Sequence, residues 1–100
     1  MNIIIPVNQN KQDEANITLL DELNHWAYIE MAEGEISKCE FFEKRADIQE
    51  YVECVVVKNN KEFVEPFLDE NIMVLVAPEQ NSIAEIVSAY MFRELHDIHE

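Results

Sequence analysis

Glycine is almost missing from this chain: one residue, Gly34, in 100. That excludes a Gly-rich phosphate loop, which needs several positions without a Cβ so that backbone amides can close on the anion. With only three prolines as well, the composition is not that of a low-complexity chain. Basic residues are scarce. Seven Lys and Arg stand against 21 Asp and Glu, a net charge of −14. Nucleic acid is thereby excluded as a partner, because phosphate binding needs clustered cations, and an anionic membrane surface is disfavoured for the same reason. Cysteine is limited to Cys39 and Cys54, with no CxxC, so a disulfide framework, a zinc site and a redox pair have no support. No apolar run approaches the ~20 residues of a membrane span. The opening MNIIIPVNQN has neither the basic start nor the apolar length of a secretory signal. A cytoplasmic location is expected.

What is present is an apolar fraction of 48%, enough for one core in a single domain over 1–100. Asn2 to Val7 is rich in β-branched residues without alternation, the pattern of a strand buried on both faces, and Pro6 belongs at its end. Asn8 to Glu22 is a polar loop, with a helical turn around Ile17 to Leu20 and a length that suits function. Asn24 to Met31 and Glu35 to Phe42 flank Ala32-Glu33-Gly34, where Gly34 supplies the positive φ of a hairpin turn. Lys38 and Glu40 in the second arm suit an edge strand guarded against further pairing. Glu43 to Tyr51 reads as about two helical turns by its composition. Val52 to Val57 and Ile72 to Ala77 are further buried strands. Between them a helix is expected, capped by Asn59 or Asn60 with Glu62 in a capping box. Phe63, Phe67 and Leu68 form its buried face, Pro66 kinks or stops it, and Asn71 takes the left-handed position after it. Ser82-Ile-Ala-Glu85 is a second capping box, and Ile83, Ile86, Val87, Tyr90, Met91 and Leu95 recur on one helical face. His96 to Glu100 is a polar tail. The strand–helix–strand units demand parallel pairing and the hairpin makes the sheet mixed: the chain is α/β.

At several points the sequence resembles the dinitrogenase iron–molybdenum cofactor biosynthesis family. Met1 to Val7 is similar to that family's opening strand of the type MKIAIPV. Trp26-Ala-Tyr-Ile-Glu30 with Glu33-Gly34-Glu35-Ile36 is similar to its hairpin. Cys54 to Val57 with Asn59 corresponds to its fourth strand and turn, and Ile72 to Val76 with Ser82 to Glu85 to its last strand and helix start. The resemblance implies a ribonuclease H-like motif: a five-stranded mixed sheet in the order 3-2-1-4-5, strand two antiparallel, with two to three helices. In that order strands three and four are not neighbours, so Cys39 and Cys54 should neither pair nor share a metal. The chain looks like a divergent member. Leu19 stands where the family's S-x-H-F-G-R-A-type loop carries histidine, Glu22 where it carries arginine, and Lys58-Asn59-Asn60 replaces glycines that would let backbone amides approach a ligand.

The resemblance implies a non-enzymatic accessory protein that binds or carries an iron–molybdenum or iron–sulfur species. The alternative is a degenerate member that acts as a protein–protein interaction module without cofactor binding. Candidate cofactor contacts are His25, six positions after Leu19; Cys39, as an open thiol; Lys44 and Arg45, the adjacent basic pair, at a helix N-terminus; and Asn59. Each has a plainer reading: a strand histidine, a small core residue, a solvated pair and a cap. His96 and His99, with Asp97 and Glu100, could bind a divalent metal if the last turn is helical; a frayed tail is the plainer reading. No metal site is assigned. Trp26, Tyr28, Phe41 and Phe42 gather on the hairpin, as core or as an apolar patch for another protein or a second copy. No nucleophile elbow or serine–histidine arrangement is present, so an enzyme is not expected.

Overall fold

The structure, a computed structural model, describes residues 1–99. Among these residues the chain forms β1 (Asn2–Val7), β2 (His25–Ala32), β3 (Glu35–Phe42), β4 (Cys54–Val57), α1 (Glu65–Asp69), β5 (Met73–Val76), α2 (Ile83–Met91) and β6 (His96–Asp97), with single 3-10 turns at Leu20–Glu22 and Arg45–Asp47. The six strands make one mixed sheet in the order β3-β2-β1-β4-β5-β6. β1, β4 and β5 run parallel, whereas β2, β3 and β6 are antiparallel to their neighbours. Five strands were expected and six are found. The order 3-2-1-4-5 continues onto β6 because His96 and Asp97, expected in a polar tail, pair with Val76 and Leu75.

Both faces of the sheet are covered, which is why β1 and β4 read as unbroken apolar runs rather than alternating ones. One face gathers Ile3, Ile5, Ala27, Ile29, Cys54 and Val56 under Ile83, Ile86 and Val87 of α2. The other packs Ile4, Tyr28, Val55, Val57 and Val74 against Val64 and Phe67. Trp26 and Tyr28 are buried in this second layer, Phe42 is packed against it and Phe41 against the first. Trp26 and Tyr28 are therefore core rather than part of an exposed patch, while Phe41 and Phe42 are half-buried; Trp26 meets Phe67 edge-on at 6.0 Å. Glu33 (φ 54°) and Gly34 (φ 80°) form the turn between β2 and β3, the pair of positive φ values that lets a two-residue hairpin follow the strand twist.

Three expectations give way to tertiary contacts. Glu43 to Tyr51 makes one 3-10 turn, not two helical ones, because Lys44 offers no side-chain cap and Ile48 and Val52 are drawn onto the second core layer. The helix after β4 starts at Glu65, not at Asn59 or Asn60. Pro66 opens it instead of kinking it, at a position where the missing N–H costs nothing. Phe63 is consequently outside the helix and 71% exposed, with Val64 in its place in the core. Asn71 (φ 61°) does take the left-handed position after α1: Ile72 N–H donates to the Phe67 carbonyl and Asn71 N–H to that of Leu68. Arg93 (φ 58°) does the same after α2, so α2 ends before Leu95, which still packs on the first core layer. Among the described residues no helix is long and apolar enough to cross a membrane.

Candidate functional site

The parallel strands β1, β4 and β5 finish at one end of the sheet, where open α/β sheets present their ligand crevices. Here that end is filled by the chain's own loop. Ile17, buried, bridges to Val7, and Asn16 bridges to Ser82. Thr18 N–H donates to the Pro6 carbonyl (2.9 Å) and Ile17 N–H to that of Asn81 (2.8 Å). The expected helical turn at Ile17 to Leu20 is displaced to Leu20–Glu22 by this strand-like pairing.

Beside the filled crevice lies the turn after β4. Its amides converge on Glu62. Lys58 and Asn59 N–H donate to Glu62 Oε2 (2.9 and 3.1 Å), and Leu20 N–H, from the loop after β1, donates to Oε1 (2.6 Å). Asn59 Oδ1 in turn accepts from Lys61 N–H (2.9 Å). Two cavities adjoin Asn59. One, of about 340 Å3, is lined by Leu19, Leu20, Asp21, Lys61, Glu62 and Phe63. The other, of about 250 Å3, is lined by Asn60, Val76, Pro78, His96 and Asp97. Glu62 is read from sequence as a capping residue; the pattern Lys58-Asn59-Asn60-Lys61-Glu62 signals its bonds to the turn, but nothing local signals Leu20.

The sequence candidates do not converge. His25 opens β2 opposite Val7, with Nδ1 buried and unpaired among the described residues. Cys39 sits opposite Ile29 on β3, one strand over and four residues along, a displacement of about 13 Å along the strand. Its thiol packs on the first core layer and is pushed up to about 11, by burial first and then by the Glu40 carboxylate. Cys54 lies in that same layer, pushed up to about 12 by burial, on a strand separated from β3 by β2 and β1; both cysteines are free. Neither environment favours the thiolate that ligates metals. Lys44 is exposed on its turn. Arg45 is engaged: its guanidinium holds Glu70 through two hydrogen bonds (2.7 and 2.8 Å) and lies 4.7 Å from the centre of the Phe67 ring. Two strand spacings, about 10 Å, separate the β2 position of His25 from the β4 line that leads to Asn59.

The terminal histidines do not form a helical i, i+3 pair, because His96 and Asp97 are in β6. His99 N–H donates to Asp97 Oδ1 (2.9 Å), and Glu100 lies outside the described residues. Among the described residues no group of three or more His, Cys, Asp or Glu is placed to hold a metal ion. The candidate side chains are thus not gathered at one point, and the amides of Lys58 and Asn59 already have the Glu62 carboxylate as their acceptor.

A second surface stands out at the opposite end of β5. Met1, Met73, Leu75, Tyr90, Met91 and Leu95 line a groove of about 460 Å3 whose cation is Arg93. Met1 is 56% and Met73 52% exposed.

No family model matches the chain, and no curated protein matches it. Solved structures do. A crystal structure of a candidate dinitrogenase from Methanocaldococcus jannaschii is 16% identical with a TM-score of 0.74, covering 97% of this chain and 93% of that one. The solution structure of the same protein gives 0.78 at 14% identity, over 100% and 94%. The protein PH0822 gives 0.75 at 15% identity, over 97% and 96%. At such identities the likeness speaks for the fold alone: this chain has the architecture of these proteins along nearly its whole length.

Proposed function

We propose that the chain is a small, non-enzymatic accessory protein of the dinitrogenase type that works by contacting another protein. The observation that carries this is the apolar groove between β5 and α2. Met1 and Met73 are exposed beside the half-buried Leu75, Tyr90, Met91 and Leu95, and such a contiguous apolar groove on a chain of charge −14 supports an interaction surface. The choice of dinitrogenase as partner rests on the resemblance of the sequence to the dinitrogenase cofactor-biosynthesis family; the solved structures it is similar to, one of them a candidate dinitrogenase, support the fold that goes with it. The ribonuclease H-like reading of the sheet belongs to the same proposal and is supported by the order 3-2-1-4-5 kept within β1 to β5. The test is sedimentation of the full chain with purified dinitrogenase lacking its cofactor. The expected result is a complex that Met73→Asp weakens at least ~tenfold, equivalent to ~1.4 kcal/mol; Met73 is exposed, so the fold survives the change. Equal binding by wild type and Met73→Asp, or none by either, overturns the reading.

A second reading, carriage of an iron–molybdenum or iron–sulfur species as cargo, draws support from the cavity that joins Asn59 to His96 and Asp97. Anaerobic incubation with iron, sulfide and molybdenum-cofactor extract, followed by metal analysis, addresses it. Retained metal that falls with His96→Ala supports that cavity; loss with His25→Ala or Cys39→Ala points instead to the sequence candidates.

A further inference from the structure

Glu62 is placed as a ligand, not as an ordinary cap. Its two carboxylate oxygens take three backbone N–H donors, from Lys58 and Asn59 on one side and from Leu20, 42 residues away in sequence from Glu62, on the other. The Leu20 turn has no side-chain cap of its own, so Glu62 is the anion for two segments at once. Backbone amides converging in this way form an anion-binding concavity, and hydrogen bonds from such amides to an anion are short and strong. The cavity of about 340 Å3 opens onto the same carboxylate. Of its charged walls Lys61 favours an anion and Asp21 opposes one, so selectivity for anions rests on the three amides.

We propose that the amides of Leu20, Lys58 and Asn59 form a site for a small oxyanion of phosphate size, which the chain keeps shut with its own Glu62 carboxylate. Two oxygens of such an ion reproduce the two oxygens of the carboxylate. An external ion must compete with a side chain tethered a few residues away, whose effective concentration is high, and must enter against the field of a −14 chain. The native site is therefore closed to dilute anions, and removal of the Glu62 carboxylate opens it. This holds whether or not the groove contacts dinitrogenase.

The test is amide NMR on the full chain with inorganic phosphate, against sodium chloride of matched ionic strength. In wild type the Leu20, Lys58 and Asn59 amides exchange slowly with solvent and do not shift with phosphate. In Glu62→Ala the same three resonances shift saturably, and phosphate raises the melting temperature more than chloride does, as a ligand of the folded state must. Fast exchange at these amides in wild type overturns the proposal, as does a folded Glu62→Ala in which they ignore phosphate. Should Glu62→Ala fail to fold, Glu62→Gln keeps a neutral acceptor in place; phosphate displaces it and shifts the same amides, and no shift there is equally fatal.

Discussion

Arg45 is a basic residue read from sequence as a ligand contact and found in the structure as a clamp. Its guanidinium donates twice to Glu70 and covers the Phe67 ring, tying the loop after β3 to α1. The Arg45 hydrogen bond holds the Glu70 carboxyl below the usual carboxylate range. A lowered folded value means that the pair's stabilisation is fully present above the ordinary glutamate value and is lost as pH falls through the lowered one. Glu70→Gln should therefore cost less than about 1 kcal/mol of stability at neutral pH, as expected for an exposed pair, seen as a lower melting temperature, and should flatten the acid limb of the stability profile; thermal melts from neutral to strongly acidic pH check both. Glu62 tells the same story of pairing at long range. Its neighbours in sequence announce a cap, but the Leu20 amide that turns the cap into a two-sided ligand lies 42 residues away. No local pattern carries that.

At the level of elements, legibility followed burial. β1 and β4 are buried on both faces, and β5 is buried on the face of Val74 and Val76 while Met73 and Leu75 line the groove; the apolar runs of all three are plain in the sequence. α2 was equally plain, since its face repeats at the helical period and its cap is local: Ser82 Oγ accepts from Glu85 N–H (3.1 Å) and Glu85 Oε1 accepts from Ser82 N–H (3.0 Å). Ser82→Ala should cost about 1 kcal/mol of stability, read as a lower urea midpoint with unchanged slope; no change would mean that packing of Ile83 and Ile86 alone sets the start of α2. The sequence at 43–51 predicts two helical turns and that after the Asn59 or Asn60 cap predicts helix, yet 43–51 makes one 3-10 turn and α1 begins only at Glu65. In both, side chains reach across to another element, Arg45 to Glu70 and Glu62 to Leu20, and those contacts outweigh a helix propensity of tenths of a kcal/mol per residue.

On the scale of the whole molecule, 21 acidic against seven basic side chains set the field. Part of it is spent locally: Lys38 lies 2.8 Å from Glu40, 3.7 Å from Glu50 and 3.9 Å from Glu30, one cation among three carboxylates. The rest is self-repulsion, which destabilises the folded chain. Raising salt from ~0.01 M to ~0.15 M shortens the Debye length from ~30 Å to ~8 Å, so the melting temperature should rise with sodium chloride. A fall would show that pairs such as Lys38–Glu40 outweigh the net field. The fold was legible at this scale because strand order follows from which runs are apolar and how they connect. The site was not, because it depends on which side chains close on one point, and the five candidates are spread over both sheet faces and one end. The two margins of the sheet also differ in kind. β3 is guarded by charge, whereas β5 is shielded by the two residues of β6 and by the Ile98 amide bonded to the Val74 carbonyl. Cleavage before Leu95 would strip that shield and bare a row of free carbonyls and amides along Met73-Val-Leu-Val76, a template on which chains can stack into fibrils. The pairing of His96 and Asp97 thus covers an edge that would otherwise be open to pairing with another chain, although it engages only two residues of β5.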